Sequence, residues 1–203
     1  MPWNDLLTRF WRTVGVLCVV ALLGACAAVP SSPGGVAATR RDALDDFSLE
    51  GRFSLRHEDK NYSGRLSWRH SGADNELLLA SPFGQGLAQI TTSERGAQLT
   101  MSDGKVYAAA DSELLTREVL GYPLPLAQLT DWVRGRGASG DLELDGGGRP
   151  LRLRHDDWRI AYEYDGDDAQ ALPSRLVALR DDGLELRLRI DEWAVPPLPE
   201  GSP

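Results

Sequence analysis

The sequence predicts a mainly β domain of about ten or eleven antiparallel strands with two inserted helices, curved into an open or closed barrel. Three features carry that prediction. From Phe47 onward, apolar and polar residues alternate with the two-residue period of half-buried strands. Turn-forming residues cut the alternation into short runs. The period changes once, between Asp111 and Gly135, to helical spacing.

The strands are preceded by a different kind of segment. Met1 to Ala25 reads as an export signal, in which Arg9 and Arg12 precede an apolar run from about Val14 to Leu23. That run is well short of the roughly 20 apolar residues of a membrane-spanning helix. It ends in Leu23-Gly24-Ala25-Cys26, which resembles the lipobox of bacterial lipoproteins and makes Cys26 the expected site of acylation. Cys18 leaves with the signal, so the one remaining cysteine is committed to a thioether, and neither a disulfide nor a cysteine metal site can form. In the sorting rule of that class an aspartate after the lipidated cysteine favours the inner membrane. Ala27 stands there, which implies the periplasmic face of the outer membrane. Residues 26–43 combine Cys26 with a tether rich in Ala, Pro, Ser and Gly. The folded domain is expected at 44–195, and 196–203 is a Pro-rich tail. Loss of residues 1–25 removes two basic residues and Asp5, moving the formal charge from −8 to −9. That balance argues against nucleic acid as a partner and against an electrostatic grip on anionic lipid.

Phe47, Leu49, Gly51, Phe53 and Leu55 define one strand, and Tyr62, Gly64, Leu66 and Trp68 its hairpin partner after the turn-like Glu58-Asp59-Lys60-Asn61. A second hairpin joins the Leu77 run to Leu87–Thr92 through Ser81-Pro82-Phe83-Gly84. Pro82 fixes φ and Gly84 tolerates positive φ, so the chain reverses there with Phe83 at its tip. An aromatic ring at a turn tip either folds back onto the core or meets something apolar outside. Ala97, Leu99 and Met101 lead through Asp103-Gly104 into Val106–Ala110. Asp111 or Ser112 caps a helix carrying Leu114, Leu115, Val119 and Leu120, stopped by Gly121 and Pro123. Pro125 opens a second helix with Leu126, Leu129, Trp132 and Val133, closed by Gly135. Strands then resume at Leu142–Leu144, Leu151–Leu153, Trp158–Tyr164, Leu176–Leu179 and Leu184–Ile190. Two short helices cover only part of such a sheet. Pattern alone leaves a cavity and a packed core equally open.

The chain is similar to the LolB family on Gly51-Arg52, Trp68, Ser81-Pro82-Phe83-Gly84, Tyr107 with Asp111, Leu120-Gly121-Tyr122 running to Pro125, Trp132-Val133-Arg134-Gly135, Trp158-x-Ile160-x-Tyr162, Leu172-Pro173 and Ile190-Asp191-x-Trp193. Their order and spacing, with the lipobox, span nearly the whole mature chain. The resemblance implies an incomplete, strongly curved antiparallel barrel lidded by helices, with an apolar cavity for acyl chains. It implies a receptor that takes lipoproteins from a LolA-like periplasmic carrier and places them in the outer membrane. Its partners are then that carrier, the acylated cargo and outer-membrane lipid, and the receptor itself is a monomer. The family's protruding loop, which usually exposes leucine to the membrane, falls on Pro82, Phe83 and Gly84. Phe47, Leu49, Phe53, Leu55, Leu66 and Trp68 are the candidates to face acyl chains, although tryptophans such as Trp68 also serve commonly as core.

Other functions find less support in the residues. His57, His70 and His155 lie near strand ends without ligand spacing, no G-x-S-x-G occurs, and no phosphate-binding glycine loop is present, so neither catalysis nor a cofactor is expected. Asp165–Asp168 lacks the further oxygen ligands of a calcium loop. A transmembrane barrel fits poorly with inserted helices and charges along the strands. A lipoprotein that binds another apolar ligand, or that has a structural role in the envelope, would share the same signal and strands.

Overall fold

The computed structural model describes Arg41, residues 44–137 and residues 141–194. The export signal, Cys26, the tether and the Pro-rich tail lie outside the described residues.

β1 (Phe47–His57) and β2 (Lys60–Ser71) form the long hairpin. Its turn is tighter than the sequence suggested: only Glu58 and Asp59 separate the strands, with Glu58 held at φ 51°. β3 (Asp74–Ala80), β4 (Gly86–Ser93), β5 (Gly96–Met101) and β6 (Val106–Ala109) continue the meander. Two helices follow, α1 (Ser112–Leu120) and α2 (Leu126–Val133). The second meander is β7 (Asp141–Leu144), β8 (Pro150–His155), β9 (Trp158–Glu163), β10 (Arg175–Arg180) and β11 (Glu185–Ala194). β11 pairs antiparallel with β1, which joins the two meanders into one 11-stranded sheet of order β6-β5-β4-β3-β2-β1-β11-β10-β9-β8-β7. The sheet is strongly curled and open, ending at β6 and β7.

Register shows how the alternating sequence builds a single apolar face. Leu49, Trp68, Leu77, Ile90, Leu99 and Tyr107 lie opposite one another in turn across β1 to β6. Leu55, Leu186, Ala178, Ile160, Leu153 and Leu142 form the matching row from β1 out to β7. Because side chains alternate, the opposite face takes the polar set. It carries the ion pairs Arg52–Asp191, Arg69–Glu76, Arg152–Glu143 and Arg175–Glu163, where a lipid-facing wall needs an apolar band. Neighbouring backbone approaches closely at two glycines inside the apolar alternation. A Cβ on Gly51, beside the bulge in β1, would lie 2.3 Å from the Arg189 carbonyl oxygen, and one on Gly64 would lie 2.1 Å from that of Ala80.

The helices cap the apolar face. The Asp111 carboxylate accepts from the Leu114 amide at 2.8 Å, and Gly121 at φ 93° ends α1 by donating to the Arg117 carbonyl at 3.0 Å. α2 ends at Val133 with Arg134 as its cap, and Gly135 follows at φ 71°. Leu126, Leu129, Trp132 and Val133 of α2, with Tyr122 and Leu124 of the connector, join the strand side chains in the main core. α1 contributes Leu115 to a separate small cluster with Ala97 and Leu99. Tyr164, expected near the end of a strand face, falls just beyond β9 and donates to the Pro150 carbonyl at 2.8 Å.

Candidate functional site

The β3–β4 turn is shaped by its own short hydrogen bonds. The Gly84 amide donates to the Ser81 carbonyl at 2.9 Å, the Ser81 amide to the Gln85 carbonyl at 2.7 Å, and the Gln85 amide to the Ser81 hydroxyl at 3.2 Å. Gly84 takes φ 87°, a left-handed value that most side chains resist. Backbone polar groups are thus used within the loop and the Phe83 ring is left outside it, 95% exposed. Pro82 and Leu87 beside it are also exposed, so the tip is apolar. The ring does not fold back.

The six acyl-facing candidates lie together on the concave face. Phe47, Leu49, Leu55, Leu66 and Trp68 are buried in the main core among the side chains of α2 and its connector, and Phe53 is half-buried. Phe53 is one of the half-buried apolar residues packed against the main core, with Leu79, Ile90, Leu120, Tyr164, Leu172 and Trp193. Two surface grooves, of about 780 Å³ between Glu143, Arg152, Arg154 and Leu179 and about 540 Å³ between Arg69, Glu76, Thr91 and Gln98, include none of the six. Side chains of α2 and its connector pack over the buried members of the set, while Phe53 is only partly covered.

Polar groups within this apolar face are mostly paired. Asn75 accepts from the Trp68 indole at 3.0 Å, lies 2.9 Å from His70 Nδ1, and donates to the Thr92 hydroxyl at 3.0 Å. Burial pushes the His70 imidazole pKa down, favouring the neutral ring. His57 instead packs against the Tyr122 ring at 4.6 Å and His155 against Trp132 at 5.9 Å, so the three histidines serve separate packing sites. Asp165 receives Arg189 at 2.9 Å and the Ser174 hydroxyl at 3.0 Å, which uses it as a surface tie. Among the described residues, three buried side-chain oxygens have no hydrogen-bond partner: Tyr122 Oη, Tyr162 Oη and Gln128 Oε1. Leaving a buried hydroxyl unpaired costs about 1–3 kcal/mol.

A family model described as outer membrane lipoprotein LolB matches residues 45–193. The chain belongs to the LolB family. The outer-membrane lipoprotein LolB of Dechloromonas aromatica is 40% identical over 188 residues, covering 90% of this chain and 97% of its own. That of Thiobacillus denitrificans is 37% identical over 190 residues, covering 92% of this chain and all of its own. In fold alone, the crystal structure of a DUF1329 family protein from Desulfovibrio piger is similar at a TM-score of 0.50 and 10% identity, over 76% of this chain and 87% of its own. As a LolB-family member the chain is an outer-membrane lipoprotein of lipoprotein localisation.

Two features of this LolB-family domain were not evident from sequence. One is a clamp on the start of the domain. Buried Arg41 donates to the carbonyls of Ala169 at 3.0 Å and Ala171 at 3.1 Å. Arg134 donates to the Leu44 carbonyl at 2.6 Å, and Arg136 to the carbonyls of Arg41 at 2.6 Å and Leu44 at 2.8 Å. Burial pulls the Arg134 pKa down from its ordinary value, and Asp131 at 2.7 Å opposes that shift. The other is the set of unpaired oxygens. For the clamp, the available signal was Arg134 directly after the apolar Trp132-Val133; for the phenols, it was the period-2 face that includes Tyr162.

Proposed function

We propose that this chain, anchored by acylated Cys26 on the periplasmic face of the outer membrane, accepts lipoproteins from a LolA-like periplasmic carrier. It shelters their acyl chains on the concave face and inserts them into the membrane without nucleotide hydrolysis. The observation that carries this proposal is the pairing of Phe83, exposed at the tip of the β3–β4 turn, with an apolar face on the same two strands. Three acyl chains in water expose tens of methylenes at about 0.8 kcal/mol each, so cargo must pass between sheltered sites. Exchange between two such sites nearly conserves burial, so a modest affinity difference is enough to drive it. Chains enter beside Phe53, Leu79 and Ile90, where the core is only partly covered, by displacing α1. Phe83 then supplies an apolar contact with the bilayer. This is binding and transfer, with no bond made or broken.

The test loads a LolA-like carrier with labelled lipoprotein and presents it to the full-length protein in outer-membrane vesicles. Label should leave the carrier and enter the bilayer. Phe83→Glu should keep acceptance and lose most insertion. Cargo that stays on the carrier with the unaltered protein would sink the proposal. Unchanged insertion by Phe83→Glu would remove the loop from it.

A further inference from the structure

Tyr162 and Tyr122 each bury a phenol oxygen on the apolar side of the sheet without a hydrogen-bond partner among the described residues. Tyr162 belongs to the row Tyr162, Leu176, Leu188 and Phe53, across β9, β10, β11 and β1. Tyr122 lies in the α1–α2 connector with its ring against His57. Phenylalanine would supply the same ring at either place without an unpaired hydroxyl. Other aromatic polar atoms are used: the Trp193 indole donates to the Pro173 carbonyl at 3.0 Å, and the Trp68 indole to Asn75 at 3.0 Å. Burial pushes both phenol pKa values upward, so each oxygen keeps its proton and remains a donor.

Hydrocarbon chains give such donors nothing to bind. The linkages at the base of the chains do. An acylated N-terminal cysteine carries two ester carbonyls and one amide carbonyl, all acceptors that lose water when the chains are buried. Given the acyl-chain shelter proposed above, on which this inference rests, we propose that Tyr162 and Tyr122 donate hydrogen bonds to the ester and amide carbonyls of the cargo lipid. The concave face then recognises the acyl linkage as well as the chain. It favours acylated cargo over hydrocarbon of equal length, and Tyr162 and Tyr122 are specificity residues.

The test uses full-length protein in detergent micelles with two fluorescent cysteine peptides of equal chain length, one with ester-linked chains and one with both esters replaced by ethers. Comparing wild type with Tyr162→Phe and Tyr122→Phe for each probe cancels partitioning into micelles. Each substitution should weaken the ester probe about three- to tenfold and leave the ether probe closer to wild-type affinity. Their thermal midpoints should equal or exceed that of the wild type, because an unpaired buried hydroxyl is removed. Equal weakening of both probes, no weakening of either, or a lowered midpoint would overturn the assignment. If the wild type binds neither probe, the acyl-chain shelter itself fails.

Discussion

α1 and α2 are nearly the same length and lie in one insertion, yet they are held differently. α2 places Leu126, Leu129, Trp132 and Val133 in the main core, and Arg134 after it is tied to the start of the domain. α1 buries only Leu115 among its large apolar residues and leaves Leu114 44% exposed. Hydrophobic burial scales with area removed from water, so α2 is part of the foundation and α1 is a light cover. The expectation is that α1 yields before α2. Leu120 at the end of α1 is itself only half-buried against the main core.

Four substitutions test the contrast. Trp132→Ala should have the largest effect, a loss of about 3–5 kcal/mol in denaturant unfolding, because a buried indole leaves a cavity between α2 and the sheet. Leu115→Ala should lose about 2–3 kcal/mol, and it should also speed uptake of an acyl probe if α1 is the part that moves. Equal losses for these two would abolish the distinction between foundation and cover. Asp111→Ala removes the α1 cap and should cost about 1 kcal/mol in the same measurement. The smallest effect is expected at the connector. Arg180 donates to the Pro123 carbonyl at 3.0 Å and holds the Asp182 carboxyl pKa down to about 2 by hydrogen bonding. A depressed carboxyl pKa contributes stability above its unfolded value, near 4, and loses it as pH falls toward 2. Asp182→Asn should flatten that part of the stability profile, modestly because Asp182 is half exposed.

Much of this was legible in local pattern. The hairpins around Phe83 and Asp103-Gly104, the Asp111 cap and the Gly121 stop all depend on residues within a few positions of one another, and all appear where the sequence suggested. Long-range facts were harder. Alternation shows that β1 and β11 each have an apolar face, but only tertiary pairing shows that they are neighbours. Helical period marked Leu126, Leu129 and Trp132 as apolar without showing that they would pack against the acyl-facing candidates. Arginine is rarely buried, so composition gave no reason to place Arg41 and Arg134 in the interior. The unpaired state of Tyr162 depends on what surrounds its oxygen, which no spacing rule reports.

The two terminal strands of the sheet, β6 and β7, are only four residues long, and each pairs with a single neighbour. A sealed cylinder could swell to take a guest only by parting a ladder of amide hydrogen bonds, each worth about 0.5–1.5 kcal/mol. In this sheet β6 and β7 are not paired with each other, so no closing ladder of that kind stands between its two ends.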